Sequence, residues 1–522
     1  MNDRFLQALI STVQRTQQSK PSEGEMITLS ETVSAAAAFY ETIRNSLEYD
    51  EEHLLRRNAI RRILKRRWGE ESWERLGADL LHELIWARYL PNKGIPVTAI
   101  GDISCTLHKY QPLFLRAEDL GRGRARTIAW LFDLLSAELE YQLCPPLVEE
   151  SLASFCYQDL KFRLEWAAHS VKSEDHDLQL YLAVHRAIMK SNVATLRFRL
   201  FTLYYPEWVK SPDEKVRETV AGHLSDIMEA VERQIHHPAA HRLFRLIQRQ
   251  AVAYHILGDL VTKHAFQFED LLADSKHFQK EITIACTARY DRFQTKIRRS
   301  VLRAVAFLFF TKTVLALIIE LPYDFAVAKT TNFYPLATNI IFHPLLLGMI
   351  GLTVRIPEQK NTVVVYAALR SIVGMDEPVK LRFSPVRRWA KGVPRTIFDV
   401  LYGVMFIVSV SVIIRVLKEF HFNALSITFF LFFLSLVTFF GLKIRGSRRE
   451  LVMFETGTNI WSILFDLFLL PIVRLGRWVS MRAPRINIFL FFFDFIIEAP
   501  FKSAIRLIEG WFAFLREKRE EI

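Results

Sequence analysis

The chain has 522 residues, enough for two or three domains, and a net charge of +12 at pH 7. Residues 1–300 contain 41 Lys/Arg and 40 Asp/Glu, whereas residues 301–522 contain 27 and 16, so the basic excess lies in the second part and favours anionic lipid headgroups over nucleic acid as a partner. Four scattered cysteines and the lack of metal-ligand, phosphate-loop or nucleophile motifs argue against a disulfide framework, a cofactor, a metal site and the common enzyme classes.

Residues 1–300 are predicted to form an all-helical region, which the pattern leaves open as one domain or two. Apolar residues recur at intervals of three and four, and strand-like alternation is scarce. The most basic stretch, residues 56–68, is predicted to be a helix with a solvated, salt-bridged face, because five glutamates flank it. Contact with anionic lipid is the second interpretation of this stretch.

Residues 301–354 are predicted to form a first transmembrane hairpin. Its two spans, residues 301–320 and 334–354, are each about 30 Å long as helices, which matches the hydrocarbon thickness of a bilayer. Basic residues flank both ends of the hairpin, and Lys/Arg-rich flanks remain in the cytoplasm. The hairpin is therefore predicted to enter from the cytoplasm and return to it, which places residues 1–300 on that side.

Three polar side chains inside this hairpin are candidates for an intramembrane site. Lys312 lies near the middle of the first span, where a lysine costs a few kcal/mol on insertion scales. Asn339 and His343 are one helical turn apart in the second span, and Pro344 is expected to kink the helix there. The favoured interpretation is a packing contact between the helices. The alternative is a polar path for an ion or a proton.

The second half continues with a basic cytoplasmic loop, residues 355–396, and a second hairpin, residues 397–443. The hairpin's predicted spans are residues 397–416 and 422–442, joined by a short external turn. Basic residues in the loop and after the second hairpin are predicted to contact anionic headgroups. These residues are Arg382, Arg387, Arg388, Lys391, Arg395, Lys443, Arg445, Arg448 and Arg449.

The tail, residues 444–522, contains two apolar stretches, residues 459–470 and 487–497, that are too short to span a bilayer. They are predicted to be interfacial amphipathic helices on the cytoplasmic side. The competing prediction of six spans would place the four arginines between these stretches outside, against the usual charge asymmetry. The predicted fold class is thus all-α: a large helical domain, four transmembrane helices as two hairpins, and two interfacial helices.

The sequence narrows the function to three classes without naming a reaction or a substrate. The favoured prediction is a non-enzymatic scaffold in a bacterial inner membrane, with both termini cytoplasmic and a protein partner for the helical domain. The second is a transporter or channel using Lys312 and His343, which with four spans would require a homo-oligomer. The third is an enzyme acting on a lipid or lipid-linked substrate, with Asp466, Asp494 or Glu498 as interfacial acids.

Overall fold

The computed structural model describes residues 2–18, 25–29, 51–69, 72–167, 171–210, 213–328, 333–354, 359–384, 393–453 and 469–479. Helices dominate these residues and strand is almost absent, which confirms the all-α prediction. The chain divides into two compact units. In the described residues the first is drawn from Met1–Gln279 and Tyr366–Pro385, and the second from Lys280–Val365 and Val386–Ile497. The predicted tail helices lie almost wholly outside the described residues.

The α-helices of more than one turn are numbered in chain order. They are α1 (Asn2–Gln18), α2 (Glu52–Arg67), α3 (Trp73–Trp86), α4 (Ala99–Glu118), α5 (Arg124–Leu143), α6 (Leu147–Arg163), α7 (Ser173–Ile188), α8 (Val193–Tyr204), α9 (Glu214–Gly222), α10 (Leu224–Ile235), α11 (Ala240–Lys263), α12 (Phe268–Ala273), α13 (Ser275–Leu315), α14 (Tyr334–Leu352), α15 (Gln359–Ile372), α16 (Val393–Glu419) and α17 (Ala424–Ser447).

The first unit has its own hydrophobic core, built where amphipathic helices bury their apolar stripes. On α3, Leu76, Leu80 and Leu84 recur every four residues and are fully buried, as one helix face turned toward a core should be. The same core takes in Tyr110 of α4 and Trp208 beyond α8, whose rings meet edge to face at 5.2 Å. This shared core holds the helices of the first unit in place relative to one another.

The basic stretch at residues 56–68 forms α2, but its face is packed against other helices. Arg56 pairs with Glu140 at 2.8 Å, and Arg61 pairs with Asp133 at 2.8 Å, so both partners belong to α5. This face of α2 is therefore salt-bridged, but these partners are not the flanking glutamates, and the predicted solvated face is wrong for buried residues such as Arg57. Because the acids of α5 are distant in sequence, the flanking glutamates gave no indication of them.

Two three-residue strands pair in parallel within the first unit, β1 (Leu164–Trp166) and β2 (Leu381–Phe383). Glu165 lies opposite Arg382 and forms an ion pair with Lys380 at 2.8 Å. The strands are too short and too far apart in the chain for a period-two pattern to reveal them.

Within the described residues, four helices are long and apolar enough to cross a membrane, as expected of a membrane-spanning protein. They are Ser275–Val327, Tyr334–Leu352, Asp399–Glu419 and Ala424–Gly446. The first is one continuous helix from α13 onward. Large apolar side chains such as Phe310 and Ile318 point outward from it, 67% exposed, as lipid-facing side chains do.

Two glycines allow close packing among α13, α14 and α17 in the second unit. A Cβ on Gly351 of α14 would lie 2.5 Å from Cγ1 of Val301, and one on Gly441 of α17 would lie 2.8 Å from Cδ1 of Ile350. Small residues at such contacts let helix backbones approach in a bilayer, where packing rather than the hydrophobic effect holds helices together. These three helices enclose a buried group of polar side chains.

Candidate functional site

The structure brings the three predicted polar residues together. Nζ of Lys312 donates to the backbone carbonyl of Asn339, to its Oδ1 at 2.7 Å, and to Nδ1 of His343 at 2.9 Å. The residues are 2%, 1% and 0% exposed. An ammonium has three donors, and each of the three finds an acceptor here.

The partners of His343 define its tautomer. Because Nδ1 accepts from Lys312, the ring proton belongs on Nε2, which lies 3.0 Å from the carbonyl oxygen of Phe430 and donates to it. Phe430 belongs to α17, so His343 links α14 to that helix as well as to α13. The site therefore joins three helices through one neutral imidazole and one amide.

A fourth member, Glu320, was not among the predicted site residues. Nδ2 of Asn339 donates to both carboxylate oxygens of Glu320, at 3.1 and 2.9 Å, and Glu320 is 2% exposed. The amide of Asn339 thus stands between a cation and an anion: its oxygen faces Lys312 and its nitrogen faces Glu320. Lys312 and Glu320 thus offset each other's charge across Asn339, which lowers the cost of burying either group in a bilayer.

A π-helical turn explains why Glu320 reaches the same face as Lys312. On a regular α-helix, residues eight and twelve positions beyond Lys312 lie about 80° and 120° around the axis from it. The π-helical turn Ala316–Glu320 takes up one extra residue and rotates the later part of the helix back by about 100°. Glu320 and Asp324 are thereby brought to within about 20° of Lys312 around the helix axis.

The polar contacts continue from Glu320 toward the start of α17. Oγ of Ser426 lies 3.5 Å from Oε2 of Glu320, and the backbone N–H of Ser426 donates to Oδ1 of Asn423 at 2.8 Å. Nδ2 of Asn423, the cap of α17, donates to Oδ1 of Asp324 at 2.5 Å. We call the chain of contacts from His343 through Lys312, Asn339, Glu320, Ser426 and Asn423 to Asp324 the polar ladder.

On its other side the polar ladder ends against apolar side chains. The ring of Phe433 lies 4.6 Å from Nζ of Lys312, and it packs in a buried cluster with Leu308, Leu347 and Val437. An aromatic face favours a nearby cation but offers no route for water. We call this cluster the apolar plug. Together the two features define a polar half and an apolar half of the interface among α13, α14 and α17.

The predicted headgroup contacts are only partly within the described residues. Arg382 is exposed in β2, Lys443 and Arg445 are exposed near the end of α17, and Arg448 begins a 3₁₀ turn that comes after α17. Arg387, Arg388 and Lys391, and the side chains of Arg395 and Arg449, lie outside the described part of the chain, as do Asp466, Asp494 and Glu498. Contact of these residues with lipid stays a prediction.

Comparison with known proteins finds no relative of this chain. Neither family models, nor curated proteins, nor solved structures contain a match to the chain. The polar ladder and the apolar plug therefore have to be interpreted from their own chemistry.

Proposed function

We propose that the protein is a non-enzymatic scaffold of a bacterial inner membrane, whose helical first unit lies in the cytoplasm and binds a protein partner. The observation that carries the proposal is the closed polar ladder. Each hydrogen-bond donor of Lys312 ends on a protein acceptor, and the apolar plug stands beyond it. A ladder of this kind supports helix packing, which is the task of an anchor.

The orientation in this proposal follows from charge. Arg298, Arg299 and Arg303 precede the first span, and Lys443 and Arg445 stand at the end of the fourth, so both hairpins have basic ends on the same side. Positive flanks remain in the cytoplasm. Both chain termini then belong there too, and the first unit, with a core of its own, faces the cell interior.

A transporter or channel is the second candidate, and a specific observation favours it. The polar ladder runs from the middle of the first span to Asp324 near its outer end, about 18 Å along the helix at 1.5 Å per residue. Ionisable residues and π-helical turns within a span are common at functional sites. Under this second candidate the apolar plug is a gate that opens in another conformation, and oligomerisation supplies the remaining walls.

Water access to the plug distinguishes the two candidates. In a variant with the four native cysteines replaced, one cysteine is introduced at Ser426, in the polar ladder, or at Val437, a plug residue on α17. Both residues are 1% exposed, and cysteine is close in size to serine and to valine. Intact membranes are then treated with a small, membrane-impermeant thiol reagent, and the reaction rates are compared.

The control carries its cysteine at Phe333, 56% exposed at the start of α14. The scaffold proposal expects fast labelling at position 333 and rates at least 100-fold slower at positions 426 and 437. A rate at position 437 within tenfold of the control would mean that water enters the plug, and the transporter candidate would replace the scaffold. Labelling at 426 but not at 437 would likewise count against the scaffold, since it requires an open outer half.

A further inference from the structure

A row of basic side chains lies along one face of α13 just before its membrane span. Arg292, Lys296, Arg299 and Arg303 are spaced by four, three and four residues, so they fall within about 60° of one another around the helix. All four are exposed. We call this set the basic face. It extends about 16 Å along the helix and was no part of the predicted headgroup contacts.

The basic face lines an open depression together with Asp291 and Thr295. Four cations against one acid leave an excess of three positive charges. Nε of Arg303 donates to the carbonyl of Arg299 at 3.3 Å, and neither guanidinium forms an ion pair within the described residues. Their remaining N–H groups suit an oxyanion, because the planar guanidinium binds phosphate through two parallel hydrogen bonds.

The position of the basic face relative to the membrane identifies the source of the phosphate. Arg303 lies nine residues before Lys312, or about 14 Å along α13. If Lys312 is at mid-membrane, Arg303 is at the boundary of the hydrocarbon, which is about 15 Å from the midplane. Arg299 and Arg303 then lie at the level of the headgroup phosphates, and Lys296 and Arg292 lie deeper in the aqueous layer.

We propose that the basic face is a binding site for an anionic phospholipid whose headgroup carries two phosphates. The inference rests on the orientation proposed above, since Arg303 must face the cytoplasmic headgroups. The excess of three positive charges is enough to neutralise the two negative charges of such a headgroup, and a basic pocket on the cytoplasmic side of membrane helices is suited to it. The two arginines bind the phosphates, and Lys296 and Arg292 supply the surrounding field.

The experiment uses the full-length protein in a neutral detergent, titrated with cardiolipin, phosphatidylglycerol or phosphatidylcholine, with bound lipid counted by native mass spectrometry. Wild-type protein is expected to bind cardiolipin at least tenfold more tightly than phosphatidylglycerol at equal phosphate concentration. The double variant Arg299→Lys/Arg303→Lys keeps the charge, and hence membrane orientation, but loses the paired hydrogen bonds. It is expected to lose that preference.

The matched control is Arg298→Lys, an exposed residue of the same helix at least 100° away from every member of the basic face. It is expected to bind as wild type does. Equal affinity for the two anionic lipids at matched phosphate, or an equal loss in the control, would reduce the site to general charge attraction and overturn the proposal. Displacement of cardiolipin by an equal concentration of inorganic pyrophosphate would overturn the lipid source. None of these results depends on labelling of position 437, so the two proposals fail separately.

Discussion

Removing the negative charge of Glu320 is the sharpest test of the polar ladder. In the wild type, the NH₂ group of Asn339 donates to both carboxylate oxygens of Glu320. Glu320→Gln keeps the size of the side chain and one oxygen, but it places a second NH₂ group beside that of Asn339. Lys312 is left as a cation without a compensating anion. The variant is therefore expected to destabilise the packing of α13 against α14 and α17.

The size of the effect depends on the charges that remain in the site. Removing one partner of a buried ion pair costs about 3–5 kcal/mol, and an uncompensated lysine at mid-membrane costs about 2.5–3.5 kcal/mol on insertion scales. We expect a loss of about 3 kcal/mol for Glu320→Gln and about as much for Lys312→Met. The double variant contains neither charge and loses only hydrogen bonds, each worth about 0.6–1.7 kcal/mol in a bilayer. Its expected loss is about 2 kcal/mol, which gives a coupling of about 4 kcal/mol.

The assay measures opening of the membrane unit itself. A cysteine at Val437, 1% exposed in the apolar plug, is introduced in the cysteine-free background, and its reaction with a thiol reagent in neutral detergent reports how often the helices separate. A loss of about 3 kcal/mol corresponds to labelling roughly 150-fold faster in either single variant. Thr313→Val is the matched control: its hydroxyl bonds only to Phe309 of its own helix, at 2.9 Å, and no change is expected.

The reasoning would be refuted if the losses of stability in the two single variants were additive in the double variant. If the double variant lost the sum of the single losses within about 0.5 kcal/mol, the two charges would not be coupled and Asn339 would not bridge them. Unchanged labelling in Glu320→Gln would have the same meaning.

Three further outcomes are expected. Asn339→Leu should speed labelling at position 437 about as much as Glu320→Gln, because it removes the bridge and leaves both charged ends buried. Arg163→Met should lower the melting temperature of the first unit, followed by tryptophan fluorescence, by roughly 6–12 °C, since it removes the guanidinium that lies 3.0 Å from the buried carboxylate of Asp159 in the wild type. Burial lowers the pKa of His185 from its ordinary 6.5 to about 3, so the unfolded chain binds more protons between those values, and the free energy of unfolding should fall as pH drops from 6.5 toward 3. His185→Gln should reduce the slope of this pH dependence by about one proton.

Part of the polar ladder could be predicted from the sequence, because the position of a residue within its span gives its depth in the membrane. Lys312 lies near the middle of one span and His343 near the middle of the returning span, so an antiparallel hairpin puts them at equal depth. Asn339 joins them because it is one helical turn from His343. The sequence does not specify how one helix is rotated relative to another. Burying any of these groups alone in the bilayer is costly, however, and this cost favours contact between them.

Glu320 and Asp324 escaped prediction because regular helical geometry directs them away from Lys312. The π-helical turn that realigns them has no composition of its own and exists because tertiary contacts, including those to Asn339 and Ser426, make up for its poorer local geometry. The burial of the α2 arginines was missed for a similar reason. A local pattern shows which charges need partners, and the fold alone decides which distant acids provide them.

The charges of the polar ladder are better explained by specificity than by stability. Apolar residues of similar volume in place of a buried ion pair are often as stable or more so, which means that Lys312 and Glu320 contribute little that leucines could not. Apolar helices in lipid, however, can slide or rotate against one another at small cost, because lipid tails are as apolar as the side chains they would replace. A slip of α14 by one turn, about 5.4 Å, would separate Asn339 from both charges and leave each unpaired in the bilayer. The ladder thus selects one register for α13, α14 and α17.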